Sequence, residues 1–257
     1  MGRQTLQTRS GTRRVAIGRC AGFTLTEILV SLAIVAVLIG ILLPSLAMVR
    51  STSQKVVCAS NLRQTGLGVY MYANDNADFV PMSSFAIGRG QMLDTSPLQL
   101  RFDAGVRGFN DGPEYWWDGL GLLFEQNYLS DGRIFYCPSH IGENTYEDFA
   151  DQFAGATGDI VANYQYRGVG PRGEEKLDQF EANAALVADG FRDFSEINHP
   201  DGMNVLRAAM SVNWFRDEGL ASISNAILSG ADDDFDWDDR WRLLDEPEIG
   251  GGFWPWD

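Results

Sequence analysis

The segment that most constrains this chain is an apolar run with a single carboxylate at its start. Residues 28–43 contain no charged side chain, and Glu27 stands immediately before them. The wider apolar segment, 23–49, is long enough to cross a lipid bilayer as a helix. Because a carboxylate beside hydrocarbon is costly, a chain that carries one there usually has a use for it. The sequence therefore predicts a membrane helix with a functional acid near its beginning.

A basic leader precedes this helix. Residues 1–22 hold five of the 20 basic residues of the chain and none of the 35 acidic ones. By the positive-inside rule the leader stays in the cytoplasm, and the chain beyond the helix is exported. A secretory signal peptide also begins with a basic stretch, but its small-residue cleavage site follows a shorter apolar run. Here Ala21 and Gly22 come before the apolar segment, which disfavours a signal peptide.

The leader and helix together resemble the N-terminus of type IV pilins and of the pseudopilins of type II secretion. The positions that match the family pattern are Gly22, Phe23, Thr24, Leu25, Glu27 and Pro44. The resemblance implies that a prepilin peptidase cleaves between Gly22 and Phe23 on the cytoplasmic face, and that the new Phe23 amine is then methylated. It also implies two kinds of partner, the peptidase/methylase and other pilin or pseudopilin subunits.

Glu27 needs a partner or a proton if it lies at the edge of the hydrocarbon. The resemblance implies a partner, the free Phe23 amine of a neighbouring subunit, which would set the register of one subunit on the next. The alternative is an interfacial glutamate that only marks the start of the helix. Further along, Pro44 removes a backbone hydrogen bond and is predicted to kink or loosen the helix.

Beyond the membrane segment the chain becomes amphipathic. Residues 50–76 carry apolar side chains at helical spacing and end in the turn-prone sequence Asn74-Asp75-Asn76, so we expect one helix from about residue 24 to 73. Residues 77–257 then form an exported globular domain. Strands are predicted at four segments: 163–166, 184–188, 203–206 and 211–215. The predicted fold class is α+β and pilin-like, with a small antiparallel sheet packed on the second half of the long helix.

A second resemblance covers part of the domain. The segment from Cys58 to Leu67 is similar to a Cys-x-x-Asn-Leu-Arg-Gln helix in a planctomycete-type subgroup of pseudopilin-like proteins, which often carry a later Cys-Pro, here Cys137-Pro138. Many members also end in a His-x9-Asp-Gly element. His199 is present, but Ala209-Met210 stand at the Asp-Gly positions, so the element is degenerate in this chain.

The number of cysteines in the mature protein depends on whether the leader is removed. Cleavage removes Cys20 and leaves Cys58 and Cys137. In an oxidising compartment these two can form a disulfide that closes a loop of roughly 80 residues and stabilises the fold by about 4 kcal/mol in the chain-entropy model. Two unrelated buried thiols are the alternative. No Cys-x-x-Cys or Cys/His spacing indicates zinc, and no nucleophile motif surrounds Cys137 and the nearby His140. The sequence therefore predicts neither an enzyme nor a required cofactor.

An acidic run near the C-terminus is the one candidate for a metal. Its carboxylates are Asp232, Asp233, Asp234 and Asp236, and clustered hard oxygen ligands suit Ca²⁺. The run lacks the spacing and the turn glycine of an EF-hand loop, although the family resemblance includes pseudopilins that bind calcium in a C-terminal loop. A solvated acidic surface is the alternative. With a net charge of −15, no nucleic-acid partner is expected.

These observations predict a structural subunit of a type II secretion or type IV pilus-like fibre. It would be anchored before assembly in the bacterial inner membrane by a single span, with its N-terminus in the cytoplasm and its domain in the periplasm. The alternative is a membrane-anchored exported binding protein that uses the same signal. Its Trp116-Trp117 pair would then contact carbohydrate or another envelope polymer, although such aromatic pairs also serve as core packing.

Overall fold

The computed structural model describes residues 24–84, 98–103, 115–191, 196–216 and 237–245. The chain divides into two compact units, residues 1–48 and 49–257. The predicted processing residues, Gly22 and Phe23, lie outside the described residues. So do the predicted calcium ligands Asp232, Asp233, Asp234 and Asp236. Cleavage, methylation and calcium binding therefore stay predictions.

The first element is a single long helix, α1, which runs from Leu25 to Asp75. Its extent agrees with the helix predicted from about residue 24 to 73. Pro44 lies inside α1, and the helix continues through it. Next to this proline the Ser45 hydroxyl donates to the Leu42 carbonyl at 2.8 Å. By length and composition alone, α1 is able to cross a membrane.

The membrane part of α1 exposes its large apolar side chains on all sides. Leu25, Leu32, Val37 and Ile41 are between 61% and 75% exposed. A helix that is apolar around its whole circumference is not stable in water and needs lipid or other apolar helices as its surroundings. This exposed apolar surface agrees with the prediction that the segment is a membrane helix.

The described residues of the second unit form two antiparallel sheets. One sheet has the order β2-β1-β3 and the other β4-β5-β6-β7. The strands are β1 (Gln99–Asp103), β2 (Tyr115–Trp117), β3 (Ile160–Val161), β4 (Tyr164–Tyr166), β5 (Ala185–Asp189), β6 (Gly202–Arg207) and β7 (Val212–Arg216). The described part of this unit also holds three shorter α-helices, α2 (Gly121–Glu125), α3 (Tyr146–Phe153) and α4 (Trp237–Asp245).

The four predicted strands are the four strands of the second sheet. The three-stranded sheet is an addition to the predicted architecture. Its strands are short, and β2 lies in a segment rich in glycine, aspartate and aromatic residues. The α+β class is confirmed, with two sheets in place of the single predicted one.

The second half of α1 packs against these sheets, as predicted. Leu62 and Val69 of α1 share one core with Tyr164, Leu186 and Leu206 of the four-stranded sheet. Close packing explains a glycine in the middle of the helix. A Cβ atom at Gly66 would lie 2.9 Å from a methyl group of Leu206, so the absence of a side chain lets helix and sheet approach.

Ala209 and Met210, which stand where the resemblance expects Asp-Gly, lie in the hairpin turn between β6 and β7. The Met210 amide donates to the Arg207 carbonyl at 2.9 Å, and Met210 has φ +61°. This left-handed conformation favours glycine, since it strains a residue that has a Cβ atom. The glycine that the resemblance expects at position 210 would suit the turn better than the methionine present.

Candidate functional site

The first candidate site is the start of α1. Glu27 lies in the first turn, where its Oε2 accepts hydrogen bonds from the Thr24 amide and the Thr24 hydroxyl, both at 2.8 Å. In return the Glu27 amide donates to the Thr24 hydroxyl at 3.3 Å. This reciprocal arrangement is a capping box, which satisfies backbone amides that have no partner inside the helix. Glu27 is therefore built into the helix start, and it remains exposed.

The hydroxyl groups inside the apolar segment have partners within the helix. Ser31 donates to the Glu27 carbonyl at 2.8 Å, as Ser45 does to Leu42. In hydrocarbon each unsatisfied polar group would cost several kcal/mol. These bonds therefore make the segment compatible with lipid despite its serines.

The second candidate site is a buried cluster in the globular unit. It consists of Cys58, Cys137, Asp189 and His199, whose possible ligand atoms all lie within 4.8 Å of one another. None of the four residues is more than 3% exposed. Cys58 and Cys137 are joined by a disulfide, with their Cα atoms 5.0 Å apart. We call these four residues the CCDH cluster.

Four separate elements deliver these side chains. Cys58 belongs to the buried stripe of α1, one turn before Leu62. Cys137 follows a short 3-10 helix, Gly132–Phe135, and its amide donates to Asn163 Oδ1 at 2.6 Å. Asp189 is the last residue of β5, and His199 lies in the loop that leads to β6. Only the tertiary fold brings the four together.

Asp189 supplies the carboxylate of the cluster and is only 1% exposed. Its Oδ2 accepts the Asn204 amide at 2.6 Å and the Asn204 side-chain nitrogen at 3.2 Å. Asn198 Nδ2 lies 3.4 Å from Oδ1. Burial raises the pKa of the Asp189 carboxyl, while His199 and the amide donors oppose that rise. The surrounding donors thus partly compensate a carboxylate that has lost its water.

His199 faces both the acid and the sulfur atoms. Its Nε2 lies 3.6 Å from Asp189 Oδ2 and 3.5 Å from Cys137 Sγ. Its Nδ1 lies 3.1 Å from the Ser139 hydroxyl. Burial lowers the pKa of the imidazole, and the charge of Asp189 opposes this. The ring is therefore held in place from two sides, with Nε2 directed into the cluster.

Sequence reasoning found part of this site. It paired Cys58 with Cys137, and the structure brings these two together. It did not connect the two cysteines with Asp189, because no motif surrounds that residue. It did not predict a site with His199 either, because the four residues are far apart in the chain. The subgroup resemblance did mark Cys58, Cys137 and His199 as positions of one pattern. The other histidine, His140, lies outside the cluster, with Nδ1 2.7 Å from Asn198 Oδ1.

The proposed carbohydrate platform is not supported by the geometry of β2. Neighbouring residues of a strand face opposite sides of the sheet. Trp117 packs against the core, with its ring 5.5 Å from that of Phe124, whereas Trp116 is 42% exposed. The two rings therefore do not form one continuous surface.

The fold and the first site define a class of protein. A long apolar N-terminal helix followed by antiparallel sheets in an α+β domain is consistent with a pilin-like fold. Residues 17–43 match the family described as the prokaryotic N-terminal methylation motif. The chain therefore carries a type IV pilin-like prepilin-type signal, and the match ends within α1. No curated protein and no solved structure matches the chain.

Proposed function

We infer that this protein is a structural subunit of a pilus-like fibre, either a pseudopilin of type II secretion or a type IV pilin-like protein. The observation that carries this proposal is the methylation motif at residues 17–43, which lies on a helix whose apolar side chains are exposed. The motif supplies the processing signal, and the exposed helix supplies the surface for assembly.

The apolar surface of α1 requires an apolar environment both before and after assembly. Before assembly that environment is the lipid of the inner membrane, with the basic leader in the cytoplasm. After assembly it is formed by the same helices of neighbouring subunits. Moving the helix from lipid into contact with other helices changes its hydrophobic free energy little, because both surroundings are apolar. Polar groups and close packing must therefore favour the fibre over the membrane. Glu27 is a polar group suited to that role.

In this proposal Glu27 pairs with the Phe23 amine of an adjacent subunit. The capping box leaves the carboxylate exposed at the start of the helix, where an amine of a neighbour can reach it. A charge pair in surroundings of low dielectric is strong when both members are present, and loss of one member is costly. The pair would therefore penalise subunits in the wrong register.

The globular unit has an architectural role in this proposal and is not an enzyme. The candidate nucleophile Cys137 is bonded to Cys58, and a disulfide sulfur is not available as a thiolate. The partners that follow from the proposal are the prepilin peptidase/methylase and other subunits of the fibre.

Mass spectrometry of the mature N-terminus tests the processing step. The full chain is produced in a host that contains a prepilin peptidase, and the expected product begins at Phe23 and carries an N-methyl group. A Gly22→Leu variant should keep the leader, while Gly18→Leu, a change at a second leader glycine, should be processed normally. A wild-type product that begins elsewhere than Phe23 would refute the proposal.

A further inference from the structure

The CCDH cluster holds four potential ligand atoms, one from each residue, within 4.8 Å of one another. We propose that its reduced form is a closed structural Zn²⁺ site, with Cys58 Sγ, Cys137 Sγ, Asp189 Oδ and His199 Nε2 as ligands. Thiolate, imidazole and carboxylate are the ligand types that zinc takes in proteins, and four protein ligands without an open position are typical of structural sites.

The distances between these atoms fit such a centre. With the usual metal–ligand lengths, a tetrahedral zinc holds sulfur and nitrogen about 3.5 Å apart, and nitrogen and oxygen about 3.4 Å apart. In the structure Cys137 Sγ lies 3.5 Å from His199 Nε2, and His199 Nε2 lies 3.6 Å from Asp189 Oδ2. Asp189 meets Cys58 through its other oxygen, since Cys58 Sγ lies 3.3 Å from Oδ1. Coordination through one oxygen therefore requires the carboxylate to turn. The two sulfur atoms must move apart, because a tetrahedral zinc holds two thiolate sulfur atoms about 3.8 Å from each other.

Each proposed ligand also has a polar partner outside the cluster. The Ser139 hydroxyl lies 3.0 Å from Cys137 Sγ as well as 3.1 Å from His199 Nδ1. The Tyr164 hydroxyl lies 3.2 Å from Cys58 Sγ, and Asn204 donates to Asp189. Partners of this kind orient the ligands of metal sites and tune their basicity.

The charge of the site gives a second, independent argument. Asp189 is wholly buried, and within the described part of the chain its ion-pair contact is with His199. An isolated buried carboxylate is costly, and buried charges in proteins are usually paired or coordinate a metal. A divalent cation at the centre of the cluster would offset two of the three negative charges that Asp189 and the two thiolates carry together.

The two states of the cluster exclude each other and are linked by a balanced reaction. A dithiol reductant transfers two electrons and two protons to the Cys58–Cys137 disulfide and becomes a disulfide itself. The S–S bond breaks and leaves two thiols. Zn²⁺ then binds both sulfur atoms and releases their two protons to solvent. In the reverse direction a disulfide oxidant takes two electrons from the two thiolates and two protons from solvent and becomes a dithiol, while Zn²⁺ leaves and the Cys58–Cys137 disulfide forms again.

Cobalt substitution tests the proposal on the full chain in detergent micelles. A Cys20→Ser background removes the third thiol, and a water-soluble phosphine reduces the disulfide and takes up the oxygen of water as phosphine oxide. After removal of the phosphine under argon, Co²⁺ is added. We expect one Co²⁺ per chain, with the visible absorption of tetrahedral thiolate coordination, and displacement by Zn²⁺. Protein that has not been reduced should show none of this absorption.

Ligand variants separate the cluster from binding by thiols alone. Asp189→Asn and His199→Ala keep both thiols, and each should lose the tetrahedral cobalt spectrum. His140→Ala is the matched histidine control and should keep it. Ser139→Ala removes an outer partner and should weaken binding by about 10–100-fold. The circular dichroism of each oxidised variant shows whether its fold is intact.

A measurement on the wild-type chain decides the question even if the variants do not fold. X-ray absorption of the reduced, zinc-loaded protein should show two sulfur and two lighter ligands. The proposal is overturned if the reduced chain binds no Co²⁺, if the spectrum is octahedral, or if a different number of sulfur ligands is found. It is equally overturned if folded Asp189→Asn or folded His199→Ala keeps the spectrum of the parent chain.

Discussion

Asp189 at the end of β5 accepts both the backbone amide and the side-chain amide of Asn204 on β6, and all these groups are buried. The two residues lie on paired strands, so this contact joins the CCDH cluster to the four-stranded sheet. It also gives a buried carboxylate donors in place of water. The stability of the domain should therefore depend on the Asn204 side chain.

Asn204→Ala removes one donor to Asp189 and should lower the free energy of unfolding by about 1–3 kcal/mol. Urea denaturation of the oxidised full chain in detergent, followed by tryptophan fluorescence, measures this change. Asn213→Ala on β7 is the matched control, because Asn213 is only half-buried and its side chain contacts Ser211. That variant should change stability by no more than about 0.5 kcal/mol. Equal effects from both variants would contradict the role given to Asn204.

Glu27→Gln distinguishes the two interpretations of the N-terminal carboxylate. Glutamine can replace glutamate in a capping box, but it cannot form a charge pair with the Phe23 amine of a neighbour. If charge pairing drives assembly, the variant should be cleaved normally, and its assembled fraction should fall at least about tenfold, which corresponds to about 1.4 kcal/mol. Sheared fibre fractions and cross-linking measure assembly.

Glu143→Gln, a change at an exposed glutamate of the globular unit, controls for loss of one negative charge and should assemble normally. Normal assembly of Glu27→Gln would leave the carboxylate with a capping role only. In that case Thr24→Ala, which removes the hydroxyl of the capping box, should be the more harmful change at the start of the helix.

Loss of the disulfide should weaken the globular unit strongly. Cys58 and Cys137 are 79 residues apart in the chain, and a loop of that length is worth about 4 kcal/mol in the chain-entropy model. A Cys58→Ala, Cys137→Ala double variant should therefore unfold at a much lower urea concentration than the oxidised parent. Cys20→Ala is the control and should leave the urea midpoint unchanged. A double variant as stable as the parent would refute a stabilising disulfide.

The features that the sequence revealed are those encoded locally. Helix α1 could be predicted from an apolar run that is followed by helical periodicity. Glu27 could be identified by its position immediately before that run. The strands that were predicted carry β-branched and aromatic residues between turn signals. Strand β1 was missed although its sequence, Gln99–Asp103, alternates polar and apolar residues as strands do. Its polar side chains are buried as well, and Arg101 is only 1% exposed. The CCDH cluster could not be predicted, since Asp189 has no neighbouring motif and meets Cys58 only through the packing of β5 on α1.

Gly121, at the start of α2, marks the closest contact between this short helix and β1. A Cβ atom there would lie only 1.9 Å from the carbonyl oxygen of Leu100, and the backbone of a paired strand cannot easily move away. Gly121→Ala should therefore destabilise the domain by about 3 kcal/mol or more, despite the gain of up to about 1 kcal/mol that alanine normally brings to a helix. Gly40→Ala is the matched control, because a Cβ atom at Gly40 meets nothing within 4 Å. Urea unfolding of the oxidised chains should show a lower midpoint for Gly121→Ala and no loss for Gly40→Ala, and a stable Gly121→Ala domain would contradict the packing of α2 on β1.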